Sequence, residues 1–199
     1  MPHLDAWDAW HPRVMADRLA GLDLPWCVAA GWALDLFRRT QTRPHADLEI
    51  AVPAAAFEGI AARFDDCDFY VAHDGTLMPA TVDALRISHQ TWAWERATAR
   101  WRFDVFREPH EDDVWICRRD HRIRRPYTEI IQRSLDDIPY LAPEIVLLFK
   151  AKNPREKDEA DFRGALPLLD QGQRGWLDDA LAVISPAHRW RAAIATRPD

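Results

Sequence analysis

The stretch GWALDLFRRTQTRPHADLEIAV, residues 31–52, decides how the rest of the chain is read. Near its end the residues alternate: Leu48 and Ile50 point to one side of an extended strand, Asp47 and Glu49 to the other. A half-buried strand with a wet face has this pattern, and so has a strand that holds two carboxylates for a divalent cation. Taken alone, the pair favours the wet face, because charged outer faces are common on strands. Upstream, WCVAA (26–30) is a short apolar run suited to a buried strand, and Gly31 turns the chain into a helical stretch, WALDLF. Downstream, Pro53 is a natural first-turn residue for a helix over AAAFEGIAARF (54–64).

Trp7, Trp10 and Val14 recur at helical spacing, and Leu19 and Leu22 continue the apolar side, which predicts an opening amphipathic helix. FYVAH (69–73), WRFDVF (101–106) and VWICRRD (114–120) read as strands. In the second, Trp101, Phe103 and Val105 share one side, and Arg102, Asp104 and Phe106 the other. The segment 74–100, with its HDG turn and the Trp92 and Trp94 pair, is the least legible. From residue 142 the pattern turns helical through APEIVLLFKAK, REKDEADFRGALPLL and GWLDDALAVI. Strands before 140 and helices after it predict an α+β fold, with a core over 1–140 and a helical region over 141–199 packed on it.

Apolar residues make up 48% of the 199 and charged residues 29%, the composition of an ordinary soluble globular protein. The net charge of -6 argues against broad nucleic-acid binding, which needs a basic face. One basic cluster, RRDHRIRR (118–125), is short and interrupted, and reads as a solvated strand-and-turn surface. The ten tryptophans are expected to line the core or a pocket. Cys27, Cys67 and Cys117 form no CxxC pair and read as reduced thiols, with Cys117 in the core. The start has neither a basic n-region nor an apolar h-region, and no run reaches transmembrane length. The expectation is a soluble cytoplasmic protein with no membrane partner.

Three features line up as chemistry. Small residues at Ala30-Gly31 let backbone approach a phosphate at a helix N-terminus, which favours its charge. Asp47 and Glu49, joined by Asp104 from a neighbouring strand, can hold one or two Mg²⁺ ions through oxygen ligands. Without a cation such carboxylates repel, and one tends to protonate. Arg43 and His45 flank the acids, and Arg43 is a candidate phosphate contact. Lys150 and Lys152 are two apart on a helix and point differently, so at most one faces a triphosphate; Lys150 is the candidate. Asp35 reads as a hydrogen-bonding residue, Asp158 and Asp161 as surface or interhelical partners, and HEDDV (110–114) as a solvated turn.

Gly31-Trp32-Ala33-Leu34-Asp35, followed by Arg43-x-His45-x-Asp47-x-Glu49-Ile50, resembles the opening of the nucleotidyltransferase superfamily. The branch it looks most like contains aminoglycoside 2''-nucleotidyltransferases and lincosamide enzymes, and the likeness runs on through WRFDVFREP, WICRRDHRIRRPY and KDEADFRGALPLLD. The resemblance implies a nucleotidyltransferase-like mixed sheet flanked by helices, with a helical region closing the nucleotide cleft. It implies Gly31 at the phosphates, and Asp47, Glu49 and Asp104 on Mg²⁺ and the nucleoside triphosphate, with Asp104 also helping to deprotonate the acceptor hydroxyl. The implied reaction moves a nucleoside monophosphate to a hydroxyl of a small-molecule, aminoglycoside-like acceptor. Two positions depart from the family pattern: Ala30 stands where a second glycine is usual, and Glu49 where Asp is commoner. A degenerate nucleotide-binding module, or an enzyme acting on RNA or protein, are the alternatives that remain.

Overall fold

Leu48 and Ile50 are fully buried, Asp47 is exposed and Glu49 half-buried, so the alternation separates a core face from an open one. In the computed structural model, which describes residues 2–196, this strand is one of eight in a mixed sheet. In chain order the strands are β1 (Cys27–Val28), β2 (Glu49–Pro53), β3 (Cys67–His73), β4 (Thr76–Pro79), β5 (Gln90–Glu95) and β6 (Arg100–Glu108). They continue with β7 (His110–Glu111), β8 (Val114–Ile116), β9 (Arg124–Pro126), β10 (Ile131–Arg133) and β11 (Pro139–Leu141). The large sheet runs β10-β11-β1-β2-β6-β5-β3-β4, and β7-β8-β9 make a small antiparallel sheet beside it. Only β1 with β11 and β2 with β6 are parallel neighbours; the remaining pairs of the large sheet are antiparallel. The β2–β6 register sets Glu49 beside Asp104, Ala51 beside Phe106 and Pro53 beside Glu108.

Helices flank the sheet: α1 (Pro12–Arg18), α2 (Ala30–Arg38), α3 (Phe57–Ala61) and the single turn α4 (Tyr127–Ile130). Then α5 (Pro143–Lys150), α6 (Glu156–Ala165), α7 (Gln171–Ile184) and α8 (Trp190–Ala195) follow the last strand. One apolar core joins these layers, with Ile50, Phe103 and Val105 from the sheet packed among Leu34, Ile145, Leu147, Leu177 and Trp190. The expected α+β architecture, a mixed sheet flanked by helices, is the one observed. Residues 197–199 of the C-terminal region lie outside the described part. Among the described residues no helix is long and apolar enough to cross a membrane.

Three local expectations are corrected. The opening helix is only seven residues long, and Trp7 and Trp10 are not in it. Instead the backbone around them runs along β6: Asp8 and Trp10 donate to the Trp101 and Arg102 carbonyls, and Trp101 donates back to Ala6. Trp7 thereby joins an edge-on aromatic group around the fully buried Trp101, with Tyr70, Trp92 and Trp94. After Pro53 the helix is delayed, because Pro53 still pairs with Glu108; a 3-10 turn at Ala54–Ala56 precedes the short α3. The strand expected over 114–120 stops at Ile116, where Cys117 N–H donates to the Ile123 carbonyl and closes a turn.

Candidate active site

The site is built where β1 turns into α2. Ala29 caps that helix with no side-chain bond, so the first-turn N–H groups are left open. Ala30 begins the helix at φ 49°, in the left-handed region where a methyl group costs energy that glycine avoids. At Gly31 a side chain has no room: a Cβ would come 2.5 Å from Arg43 Nη2 and 2.7 Å from His45 Cε1. The space beside Gly31 is therefore filled by Arg43 and His45, and the glycine serves the cleft by letting Arg43 lie against the first turn. His45 is held in turn by Asp35 at 2.6 Å and by stacking on Trp32 at 4.4 Å between ring centroids. Burial pushes the Asp35 carboxyl up, but hydrogen bonds from His45 and Thr42 more than offset it and hold it below its ordinary range. Asp35 is thus a buried hydrogen-bonding anchor of the loop that carries Arg43.

Ala30, Gly31, Arg43, Asp47, Glu49 and Lys150 all line one cleft of about 420 Å³ between the sheet and the α5–α6 region. Asp104 is not among its lining residues. It lies directly beside Glu49 in register, on the same face, but is only 3% exposed. Its Oδ2 accepts from Gln90 Nε2; its Oδ1 is buried and makes no bond of good geometry, although the Thr91 backbone and the Trp92 side chain lie close enough to favour the charged carboxylate. Burial pushes the Asp104 carboxyl up to about 7; the Gln90 hydrogen bond opposes this and the Asp47 charge adds to it. Burial likewise pushes Glu49 up to about 8, with the Asp47 and Asp104 charges adding, and Lys150 and Lys157 pulling the other way.

Facing these acids is a wall of cations that the chain's net charge of -6 conceals. Lys150 lies 2.9 Å from both Asp158 and Asp161, so it ties α5 to α6 across a buried ion-pair cluster. Arg155 adds a second bond to Asp158, and Arg43 approaches Asp161 at 3.7 Å. Asp158 and Asp161 are therefore interhelical partners. Lys152 and Lys157 line the cleft, are exposed and enter no ion pair among the described residues. Arg118 and Arg119 also turn inward. Arg118 pairs with the buried Glu108, and Arg119 donates to the Leu148 and Phe149 carbonyls at the end of α5, the first at 2.9 Å.

The solvated reading of residues 118–125 thus holds for Arg122 and Arg124, which are exposed, and fails for Arg118 and Arg119. Their inward turn, Glu108 and Lys157 were missed from sequence, and the expectation that at most one of Lys150 and Lys152 faces the cleft is corrected: both line it, because α5 ends at Lys150 and helical spacing does not reach Lys152. One usable signal was that Trp115, Ile116 and Cys117 do not alternate with polar residues, which marks a strand enclosed on both sides.

Among the described residues no three His, Cys, Asp or Glu side chains come together closely enough to hold a metal ion. The donor set nevertheless suits a divalent cation in two respects. Glu49 and Asp104 are held side by side with their affinity for protons raised by burial and by each other's or Asp47's charge, and Asp104 Oδ1 makes no bond of good geometry. A hard cation would remove both costs.

Residues 13–85 match a family model described as aminoglycoside-2''-adenylyltransferase, a stretch that includes Ala30, Gly31, Arg43, Asp47 and Glu49 but ends before Asp104. No curated protein sequence matches the chain. In structure, the chain is similar to the lincomycin-bound lincosamide antibiotic adenylyltransferase LnuA, at 15% identity and a TM-score of 0.53, over 76% of this chain and 92% of that one. It is similar also to the solution structure of the antibiotic-resistance factor ANT(2'')-Ia, at 14% identity and a TM-score of 0.55, over 91% and 90%. A crystal structure of ANT(2'')-Ia with adenylyl-2''-tobramycin matches at 12% identity and a TM-score of 0.53, over 86% and 94%. The fold is that of these nucleotidyltransferases, and the resemblance read from residues 31–50 is upheld.

Proposed function

We propose that this chain is an Mg²⁺-dependent nucleotidyltransferase that moves a nucleoside monophosphate from a nucleoside triphosphate to a hydroxyl of a small-molecule acceptor. The observation that carries this reading is the cleft, where an uncapped helix N-terminus and a wall of cations face paired strand carboxylates. The open N–H groups at Ala30 and Gly31, with Arg43 and the unpaired Lys152 and Lys157, bind and spread the triphosphate. Lys150 sets the position of this wall through Asp158 and Asp161. Asp47, Glu49 and Asp104 would hold the divalent cation, which when bound neutralises phosphate oxygens and the charge that develops on the leaving pyrophosphate.

The acceptor oxygen forms the new bond to the α-phosphorus, and the bond from that phosphorus to the pyrophosphate oxygen breaks. The hydroxyl proton passes to Asp104, which stands beside Glu49 in register on the acid face of the sheet. The similarity to enzymes named for lincosamides and aminoglycosides supports an aminoglycoside-like acceptor.

One observation favours a second reading. Ala30 holds a left-handed backbone angle, a defect at the phosphate turn that suits a chain which binds nucleotide without turnover. Pyrophosphate release separates the two, measured with each nucleoside triphosphate against a panel of aminoglycosides, lincosamides and simple alcohols. Turnover in the native protein that falls about 10²–10⁴-fold in Asp104→Asn supports the transferase. Turnover only in the double variant Ala30→Gly/Glu49→Asp makes the native chain a binding module. Turnover equal in native and Asp104→Asn protein removes Asp104 from the mechanism.

A further inference from the structure

We propose that the open half of the sheet beyond Asp104 is the acceptor subsite, an aromatic platform built on Trp92 and Tyr70 that takes a weakly charged alcohol with an apolar or aromatic ring beside its hydroxyl. This rests on the nucleotidyl-transfer reading above and adds to it what holds the acceptor.

The register of the sheet sets the position. Across one face, Glu49 on β2 stands beside Asp104 on β6, Asp104 beside Trp92 on β5, and Trp92 beside Tyr70 on β3. At the usual strand separation, Trp92 lies about 5 Å and Tyr70 about 10 Å beyond Asp104. The phosphate turn at Ala30-Gly31 lies on the other flank, where Ala29 N–H donates to the Glu49 carbonyl at 2.8 Å. In a displacement at phosphorus the attacking and leaving oxygens stand roughly in line. With pyrophosphate leaving toward the turn and the cation wall, the hydroxyl arrives from the Trp92 side.

A break in the alternation of β6 makes the platform. The pairing of β5 with β6 shifts between Ala93 and Trp94, so that Trp101 stands beside Trp94 and Arg102 is the extra residue. Strict alternation puts Trp101 with Phe103 on the core side; the bulge turns it onto the face of Asp104 and Trp92. There it is fully buried, with ring centroids 5.4 Å from Trp92, 4.8 Å from Trp94 and 5.5 Å from Tyr70. Trp7, Tyr70, Trp92 and Trp94 around it stay half-buried. Among the described residues this second apolar cluster draws its members from β3–β6 and from residues 6 and 7, and none from a helix.

The platform is joined to the acids through Trp92. Its Nε1 is buried without a bond of good geometry and lies close enough to Asp104 to favour the charged carboxylate. The carboxylates that neighbour these rings in the chain, Asp8 beside Trp7 and Glu95 beside Trp94, are both taken by Arg102. The face therefore offers apolar area to a ring and no free carboxylate of its own to an ammonium group.

The test is calorimetric titration of two alcohols that differ only in an apolar ring, p-nitrophenyl α-D-glucopyranoside and methyl α-D-glucopyranoside. The full chain is first saturated with Mg²⁺ and the α,β-methylene analogue of the triphosphate it binds, which blocks transfer. The expected result is that the aryl glucoside binds about fivefold or more tightly than the methyl glucoside. Tyr70→Ser and Trp92→Leu each bring the ratio to near unity, Trp92→Phe keeps most of it, and persisting triphosphate binding shows that the variants are folded. Equal affinities, no binding of either glucoside, or a ratio that survives both ring-removing variants overturns the platform and leaves the nucleotide reading standing. A native dimer in sedimentation that Tyr70→Ser dissociates gives the face to a second copy of the chain and also overturns it. Failure of every triphosphate to bind overturns both.

Discussion

The two sides of the cleft carry opposite charges and handle their burial in opposite ways. On the α5–α6 side, Lys150 and Arg155 are matched by the buried Asp158 and Asp161, and the Asp158 carboxyl is held far below its ordinary range: burial raises it, but the bonds from Arg155 and Lys150 prevail. On the sheet side, Glu49 and Asp104 sit in register with no cation between them, and both are pushed up toward neutral pH. One side has its buried charges matched as folded; the other has not, and in the proposed function a metal-bound nucleotide would match them. A structural salt-bridge network and a ligand site can thus be told apart by whether the charges already cancel.

The cation side can be broken by removing its centre. Lys150→Met leaves two buried carboxylates short of their shared partner, and costs about 3–5 kcal/mol read as a lower urea midpoint. A loss under about 1 kcal/mol would mean that the cluster is wet and the contrast false.

A second loss, driven by pH and not by mutation, is expected on the acid side. A carboxyl whose folded-state pKa stands above its unfolded value stabilises the fold in its protonated form, fully below the ordinary carboxylate range. That contribution is lost as the pH rises through about 7 for Asp104 and about 8 for Glu49. Metal-free protein is therefore expected to lose stability between pH 5 and pH 8.5, with a falling Tm. Glu49→Gln flattens the curve, and Mg²⁺ restores the native Tm at the alkaline end. A Tm that rises over this interval would show that the acids are not in conflict.

The smallest change sharpens the contrast at the phosphate turn. Ala30→Gly relieves the φ of 49°, and after glycine's extra chain entropy it stabilises by about 0.5–1 kcal/mol, a Tm gain of a few degrees. A lower Tm would mean that the methyl group packs to some purpose.

How much of this was legible in the sequence follows from how local each feature is. The Asp47–Glu49 alternation and the Ala30-Gly31 turn are written in adjacent residues, and the fold read from them was the one found. Trp7 and Trp10 were misplaced because helical spacing is a local sign, whereas their backbone is satisfied by β6, some 90 residues away. Arg118 and Arg119 looked solvated because a charge run carries no mark of the Phe149 ring and the α5 carbonyls that receive it. Lys150 lines the cleft, but its partners Asp158 and Asp161 come from the next helix, and no periodicity within α5 points to them. Asp104 was singled out by its strand pattern, yet its enclosure by Gln90 comes from β5, inside the segment that was hardest to read.

The central claim is that the acid floor waits for a metal-bound nucleotide. Its most direct test is calorimetric titration of the four nucleoside triphosphates, with and without Mg²⁺, into the native protein and Asp47→Asn. The account predicts saturable binding of at least one triphosphate that needs Mg²⁺ and is lost in Asp47→Asn. Binding that is absent throughout, or equal with and without Mg²⁺ in both proteins, would contradict it and leave residues 47–52 as a strand with a wet face.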